Sequence, residues 1–154
     1  MGLDMYLQAS QYVGGWDHSA PEEQQRFKSL THDFGVEDFV ADTTPAAVVT
    51  FTVAYWRKAN AIHKWFVDNV QEGVDNCGRY YVPREALTTL RDLCDKALND
   101  PQQAPELLPA QEGFFFGSTD YDQWYFEDLR STIKQIDRVL AAPEDWEFEY
   151  QSSW

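Results

Sequence analysis

Hydrophobic residues recur along this chain with two different periods, and no other feature constrains its fold as much. Leu3-Asp4-Met5-Tyr6-Leu7-Gln8 and Trp146-Glu147-Phe148-Glu149-Tyr150 alternate apolar and polar residues, the pattern of half-buried strands. Leu129, Ile133, Ile136 and Leu140 instead form one stripe at helical spacing, as do Leu87, Leu90, Cys94 and Ala97. A chain that carries both patterns has to bury a sheet face against helical stripes.

The remaining elements follow from turn and capping signals. The opening strand runs to Val13 and ends at Gly14-Gly15. Ser19-Ala20-Pro21-Glu22-Glu23 opens a short helix to about Leu30, and residues 31–46 read as a loop. Ala46 to Trp56 is β-branched and aromatic, hence a strand, followed by a helix from Arg57 to about Gln71 with Gly73 as its stop. Arg79–Val82 reads as a short strand, and Pro83 suits the first turn of a helix to about Leu98. Residues 99–112 hold three prolines and read as a loop. Gly113-Phe114-Phe115-Phe116-Gly117 reads as a buried strand, and Ser118-Thr119-Asp120 as the cap of the longest helix, about 121–141. The expected fold is α+β: a single globular domain of 154 residues, with a small mixed or antiparallel sheet and three to four helices packed on it.

Composition narrows the function classes. No apolar run is long enough to span a membrane. The amino terminus lacks the basic region of a secretory signal, and Tyr6 stands where a myristoylation motif needs Ser or Thr. Cys77 and Cys94 are expected to be free thiols in a cytoplasmic protein. His18, His32 and His63 lie too far apart in sequence to announce a metal site, and no cofactor motif is present.

The net charge of -14 is unevenly spread. Residues 1–56 hold eight acids and two bases, residues 57–98 six and seven, and residues 99–154 twelve and three. Such a balance disfavours direct binding to nucleic acid. Mimicry of DNA by an acidic face is a second reading, although the average density, one net charge per ~570 Å², is roughly fivefold below that of B-DNA. A solvated acidic surface needs no partner at all.

Two segments carry the residue types of a ligand site. In Tyr55-Trp56-Arg57-Lys58-Ala59-Asn60-Ala61-Ile62-His63-Lys64-Trp65-Phe66, a continuous helix would set Arg57, Asn60 and Lys64 on one stripe, with His63 on its flank. Cations and an amide suit an anionic group, and the indole of Trp56 suits an aromatic base. The same residues also read as a buried stripe of Trp56, Ala59, His63, Phe66 and Val70 with solvated charges. The Gly117-Ser118-Thr119-Asp120 turn offers N–H groups and two hydroxyls to an anion, and ordinary capping explains it equally well. Asp120 and Asp122 oppose a phosphate and suit a ribose hydroxyl, a base edge or a divalent cation. Were His63 to meet Asp120, an oriented acid–base pair would result. Seven of the thirteen residues from Phe114 to Phe126 are aromatic, more than one core can absorb. The signatures of common hydrolases, P-loop enzymes and dinucleotide-binding enzymes are missing.

The opening Met1-Gly2-Leu3-Asp4-Met5-Tyr6-Leu7, the Tyr55–Asn60 segment with Ile62-His63 and Trp65-Phe66-Val67, Phe114–Thr119 and the terminal Tyr150-Gln151-Ser152-Ser153-Trp154 resemble a family of small uncharacterised bacteriophage and bacterial proteins. The resemblance implies a phage- or prophage-borne accessory protein, a class that often counters host defences. The expectation is therefore a non-enzymatic binder that sequesters a small anionic, nucleotide-like ligand through Trp56, Arg57, Asn60, His63, Lys64, Ser118, Thr119 and Asp120. The alternatives are an acidic inhibitor of a host nucleic-acid-binding protein, and an enzyme acting on a nucleotide with His63 and Asp120 as its acid–base residues. A host defence protein is the alternative partner, and self-association is compatible with the terminal strand.

Overall fold

The computed structural model describes residues 2–154. Its strands are β1 (Asp4–Gly14), β2 (Ala46–Arg57), β3 (Arg79–Tyr81) and β4 (Glu147–Ser153). Its helices are α1 (Pro21–Asp33), α2 (Asn60–Asn69), α3 (Arg84–Asn99), α4 (Ala104–Leu107) and α5 (Gln123–Leu140). The strands form one antiparallel sheet in the order β2-β1-β4-β3, so the fold is α+β. In the β3–β4 ladder, Arg79 faces Gln151, Tyr80 faces Tyr150 and Tyr81 faces Glu149. No helix among the described residues is long and apolar enough to cross a membrane. Cys77 and Cys94 are free thiols.

The chain divides into two compact units, residues 1–9 with 52–154 and residues 10–51, and β1 and β2 run through both. In the larger unit the period-two residues do what their spacing requires: Leu3, just before β1, and Met5 and Leu7 within it are wholly buried, as are Phe148, Tyr150 and Ser152 of β4. The Phe66 ring of α2 stacks on Tyr150 with centroids 3.9 Å apart. Helices α3 and α5 pack together, and they bury Leu87, Leu90, Cys94 and Ala97 on the one and Tyr125, Leu129, Thr132, Ile136 and Val139 on the other. The α5 stripe is thus rotated from the expected one: Ile133 and Leu140 are only partly buried, and Thr132 takes a core position.

In the smaller unit, α1 begins with Pro21 in its first turn and buries Phe27 and Thr31. Gly15 lies under the Phe27 ring so closely that a Cβ there would come within 2.3 Å of it. Glu23 accepts a hydrogen bond from the Gly14 amide at 2.8 Å, which ties the helix to the end of β1.

Four local expectations are corrected. Residues 99–112, read as a loop, hold a 3-10 turn at Pro101–Gln103 and the short helix α4, because proline is tolerated in the first turn of each. The Gly113–Gly117 segment is a turn, closed by the Phe116 amide donating to the Gly113 carbonyl at 3.1 Å. Phe114 is 95% exposed while Phe116 is buried, so three apolar neighbours in a turn do not share one environment. The long helix is capped by Asp122, whose Oδ1 accepts from the amides of Trp124 at 2.9 Å and Tyr125 at 3.1 Å, rather than by the 118–120 turn. The helix expected from Arg57 begins only at Asn60, because β2 continues through Arg57 and Lys58 takes the left-handed conformation, φ 58°. Arg57 and Lys64 therefore do not share a helical stripe.

Candidate functional site

The turn that replaces the expected helix start builds a pocket. Lys58 donates its amide to the Leu3 carbonyl at 2.8 Å and accepts from the Asn60 amide at 2.9 Å, closing a three-residue turn around Ala59 (φ -77°, ψ 71°). Lys58 is held there partly by Gly117, φ 87°, whose missing side chain lets the two backbones approach: a Cβ at Gly117 would lie 3.3 Å from that of Lys58. A left-handed lysine at the rim of a cavity is strain kept in place by its surroundings.

The cavity holds about 310 Å³, at the small end of the range for ligand pockets. One wall is Arg57, Lys58 and the first turn of α2, Ala59 to Ile62. The other is the Gly117–Asp120 turn with the first two turns of α5, including Asp122, Trp124 and Asp128.

The two walls carry opposite charge. At α2, no side chain caps the first turn and no acid lies in it. The amides of Ala61 and Ile62 have no acceptor among the described residues, so the positive end of the helix opens into the pocket. Arg57 and Lys58 are exposed beside it, and neither forms an ion pair among the described residues. Across the cavity the amides at the start of α5 are already taken by Asp122. Asp120 accepts from the Ser118 hydroxyl at 3.0 Å, and that hydroxyl accepts from the Asp120 amide at 3.0 Å. The Asp128 carboxylate has no hydrogen-bond or ion-pair partner among the described residues. Burial, with Glu127 and Asp122 nearby, pushes its carboxyl up to about 6. Trp124, 69% exposed, stands at the rim.

Comparison with protein-family models, curated proteins and solved structures finds no match for this chain. The pocket has to be read from its own chemistry.

Of the residues singled out in the sequence, Arg57, Asn60, Ser118 and Asp120 line this cavity together. Asn60 is buried, and its side chain is engaged within the protein: Nδ2 donates to the carbonyls of Phe116 at 3.1 Å and Ser118 at 2.8 Å, and Oδ1 accepts from the Gln111 amide at 3.1 Å. It therefore positions the 116–118 turn against α2. Thr119 is half-buried and does not line the cavity. Trp56 is buried with its indole N–H donating to Thr132 Oγ1 at 2.9 Å. Lys64 pairs with Asp68 at 2.7 Å, one turn along α2 and away from the pocket.

His63 and Asp120 are not brought together. The His63 ring is wholly buried, with Nδ1 2.8 Å from the Tyr150 hydroxyl and Nε2 2.9 Å from Asp75 Oδ2. Burial holds the Tyr150 hydroxyl protonated, its pKa well above the ordinary value, so that Nδ1 faces a neutral hydroxyl and Nε2 a carboxylate. Trp154 Nε1 donates to the other Asp75 oxygen at 3.1 Å, and the Phe116 ring meets His63 edge-on. This chain of polar contacts joins α2, the 70–78 loop and β4.

Sequence reasoning missed Lys58 and Asp128 as pocket residues, whereas Trp124 is a ring that the aromatic surplus of residues 114–126 left outside the core. Lys58 adjoins a residue that was chosen, but only the left-handed turn brings it to the cavity. Asp128 is one of several acids on an amphipathic helix, and nothing in its spacing distinguishes it.

Proposed function

We propose that this pocket binds and sequesters a small anionic, nucleotide-like ligand without turning it over. The observation that carries the reading is the uncapped N-terminus of α2, flanked by the unpaired Arg57 and Lys58, opening into the same cavity as Trp124. Backbone amides at a helix start and two cations suit a phosphate. An exposed indole beside them suits a flat base, and Asp120 and Asp122 suit hydroxyl or amino groups. A volume of about 310 Å³ fits a mononucleotide better than a dinucleotide. His63 leaves no ring nitrogen unpaired to serve as an acid or base, which favours a binder over an enzyme built on that residue. In the setting that the family resemblance implies, an accessory phage or prophage protein would counter a host defence by withdrawing such a nucleotide from solution.

A thermal-shift screen against mono-, di- and cyclic nucleotides tests this directly. A ligand at ~100 Kd stabilises by about 2.7 kcal/mol, or roughly 5–10 °C for a chain of this size. The shift should vanish in the Arg57→Ala/Lys58→Ala double variant and persist in Lys64→Ala, whose ion pair lies outside the pocket. A flat screen, or a shift indifferent to Arg57 and Lys58, would reject the site.

A further inference from the structure

Three carboxylates line the acidic wall, and two are already occupied. Asp122 holds the first amides of α5, and Asp120 holds the Ser118 hydroxyl. Asp128 alone among them has no partner among the described residues, although it is half-buried in the cavity wall. An unpaired, partly desolvated carboxylate is unfavourable, and a ligand that brings hydrogen-bond donors to it relieves that cost. We propose that Asp128 reads the base of the bound nucleotide and selects guanine.

The selection follows from the donor patterns of the bases. An ionised carboxylate presents acceptors only, two oxygens side by side. Guanine offers it two parallel donors on one edge, N1–H and the exocyclic N2 amino group. Adenine and cytosine each place a donor beside a ring-nitrogen acceptor, whose lone pair would face the second oxygen. Uracil flanks its single N–H with two carbonyls, which repel the carboxylate. Hypoxanthine keeps N1–H and lacks the amino group. A bidentate charge-assisted pair is the strong form of such a contact, and Trp124 at the rim provides a face on which any base can stack without discrimination. At pH 7.5 the carboxylate is ionised, since its carboxyl is pushed up only to about 6.

This inference rests on the nucleotide-binding reading above, and one experiment separates the two. Affinities for GMP, IMP, AMP, CMP and UMP are measured calorimetrically at pH 7.5 on the wild-type protein and on Asp128→Asn, with circular dichroism confirming that the variant is folded. The wild type is expected to bind GMP on the order of tenfold more tightly than IMP, and more tightly still than AMP, CMP or UMP. Asp128→Asn should retain phosphate-dependent binding of all five and bring them within about threefold of one another. Equal wild-type affinity for GMP and AMP would overturn the assignment while leaving the nucleotide site standing. So would a GMP preference that survives in Asp128→Asn. Failure of all five to bind would overturn both. The GMP-to-IMP ratio is read on the wild type alone, so it decides the matter even if the variant does not fold.

Discussion

The indole N–H of Trp56 donates to the hydroxyl of Thr132 at 2.9 Å, and that hydroxyl donates in turn to the Asp128 carbonyl at 2.7 Å. Through two hydrogen bonds, the residue before Arg57 is fixed to the helical turn that carries Asp128. The cationic and acidic walls of the pocket therefore keep their separation by a buried polar link rather than by apolar contact alone. Thr132 occupies a position on α5 where an aliphatic residue would fit the stripe, and its hydroxyl is the reason that it does not.

Thr132→Val keeps the shape and removes that link, leaving the Trp56 N–H buried without an acceptor. The expected cost is about 1–3 kcal/mol, a fall in Tm of roughly 2–12 °C. A double-mutant cycle with Trp56→Phe should show the losses to be non-additive, because the second change removes the stranded donor. Additive losses in urea denaturation would mean that the two residues are not coupled.

The buried His63 is a second polar anchor. His63→Ala strips partners from both Tyr150 and Asp75 and leaves a cavity, and is expected to cost about 3–5 kcal/mol. Lys64→Ala, one residue on, loses only a partly exposed i,i+4 pair and should change stability by less than about 0.5 kcal/mol. Urea midpoints for the two variants check the contrast. Similar small effects would show that the His63 network contributes little.

Much of the fold was legible because burial follows period. The β1 and β4 alternation is visible in Leu3, Met5, Leu7, Phe148 and Tyr150, and the α3 stripe is the one its leucines announce. What failed was set by contacts between segments distant in sequence. Lys58 becomes left-handed because its amide reaches Leu3 and its side lies against Gly117, so the α2 start moved by three residues and Arg57 left the helix. The phenylalanine run was apolar enough for a strand, but the strands flanking the core were already supplied by other segments and Phe114 had nowhere to be buried. At the site, residue type identified Arg57, Ser118 and Asp120 as candidates, whereas Asn60 and His63 carry attractive chemistry that the fold uses to hold itself together.

Asp122 links the stability of α5 to the pocket. Asp122→Ala frees the amides of Trp124 and Tyr125 and should lower stability by about 1 kcal/mol. Asp122→Asn, which retains an acceptor at the cap, should recover most of that loss. Thermal melts of the pair decide the point: equal destabilisation by both variants would assign the effect to the lost charge rather than to the cap.

Asp128 makes a prediction about pH that needs no ligand. Its carboxyl is pushed by burial, and then by Glu127 and Asp122, from 3.8 up to about 6. Between those values the folded protein holds a proton that the unfolded chain has released, so this group's contribution falls as pH rises from about 4 to 6 and levels off above. The full shift corresponds to about 3 kcal/mol, and solvent at the partly exposed carboxylate reduces this to about 1–2 kcal/mol. Asp128→Asn removes the titration. The variant should match the wild type near pH 4 and exceed it by about 1–2 kcal/mol at pH 7.5, when the wild-type charge is unpaired. Urea denaturation of both proteins at pH 4, 5, 6 and 7.5 measures the difference directly. A constant difference across the series would mean that Asp128 ionises in the folded protein as it does in the unfolded chain. A difference that grows between pH 4 and pH 6 with the expected sign would show that the protein carries an unpaired carboxylate at a stability cost.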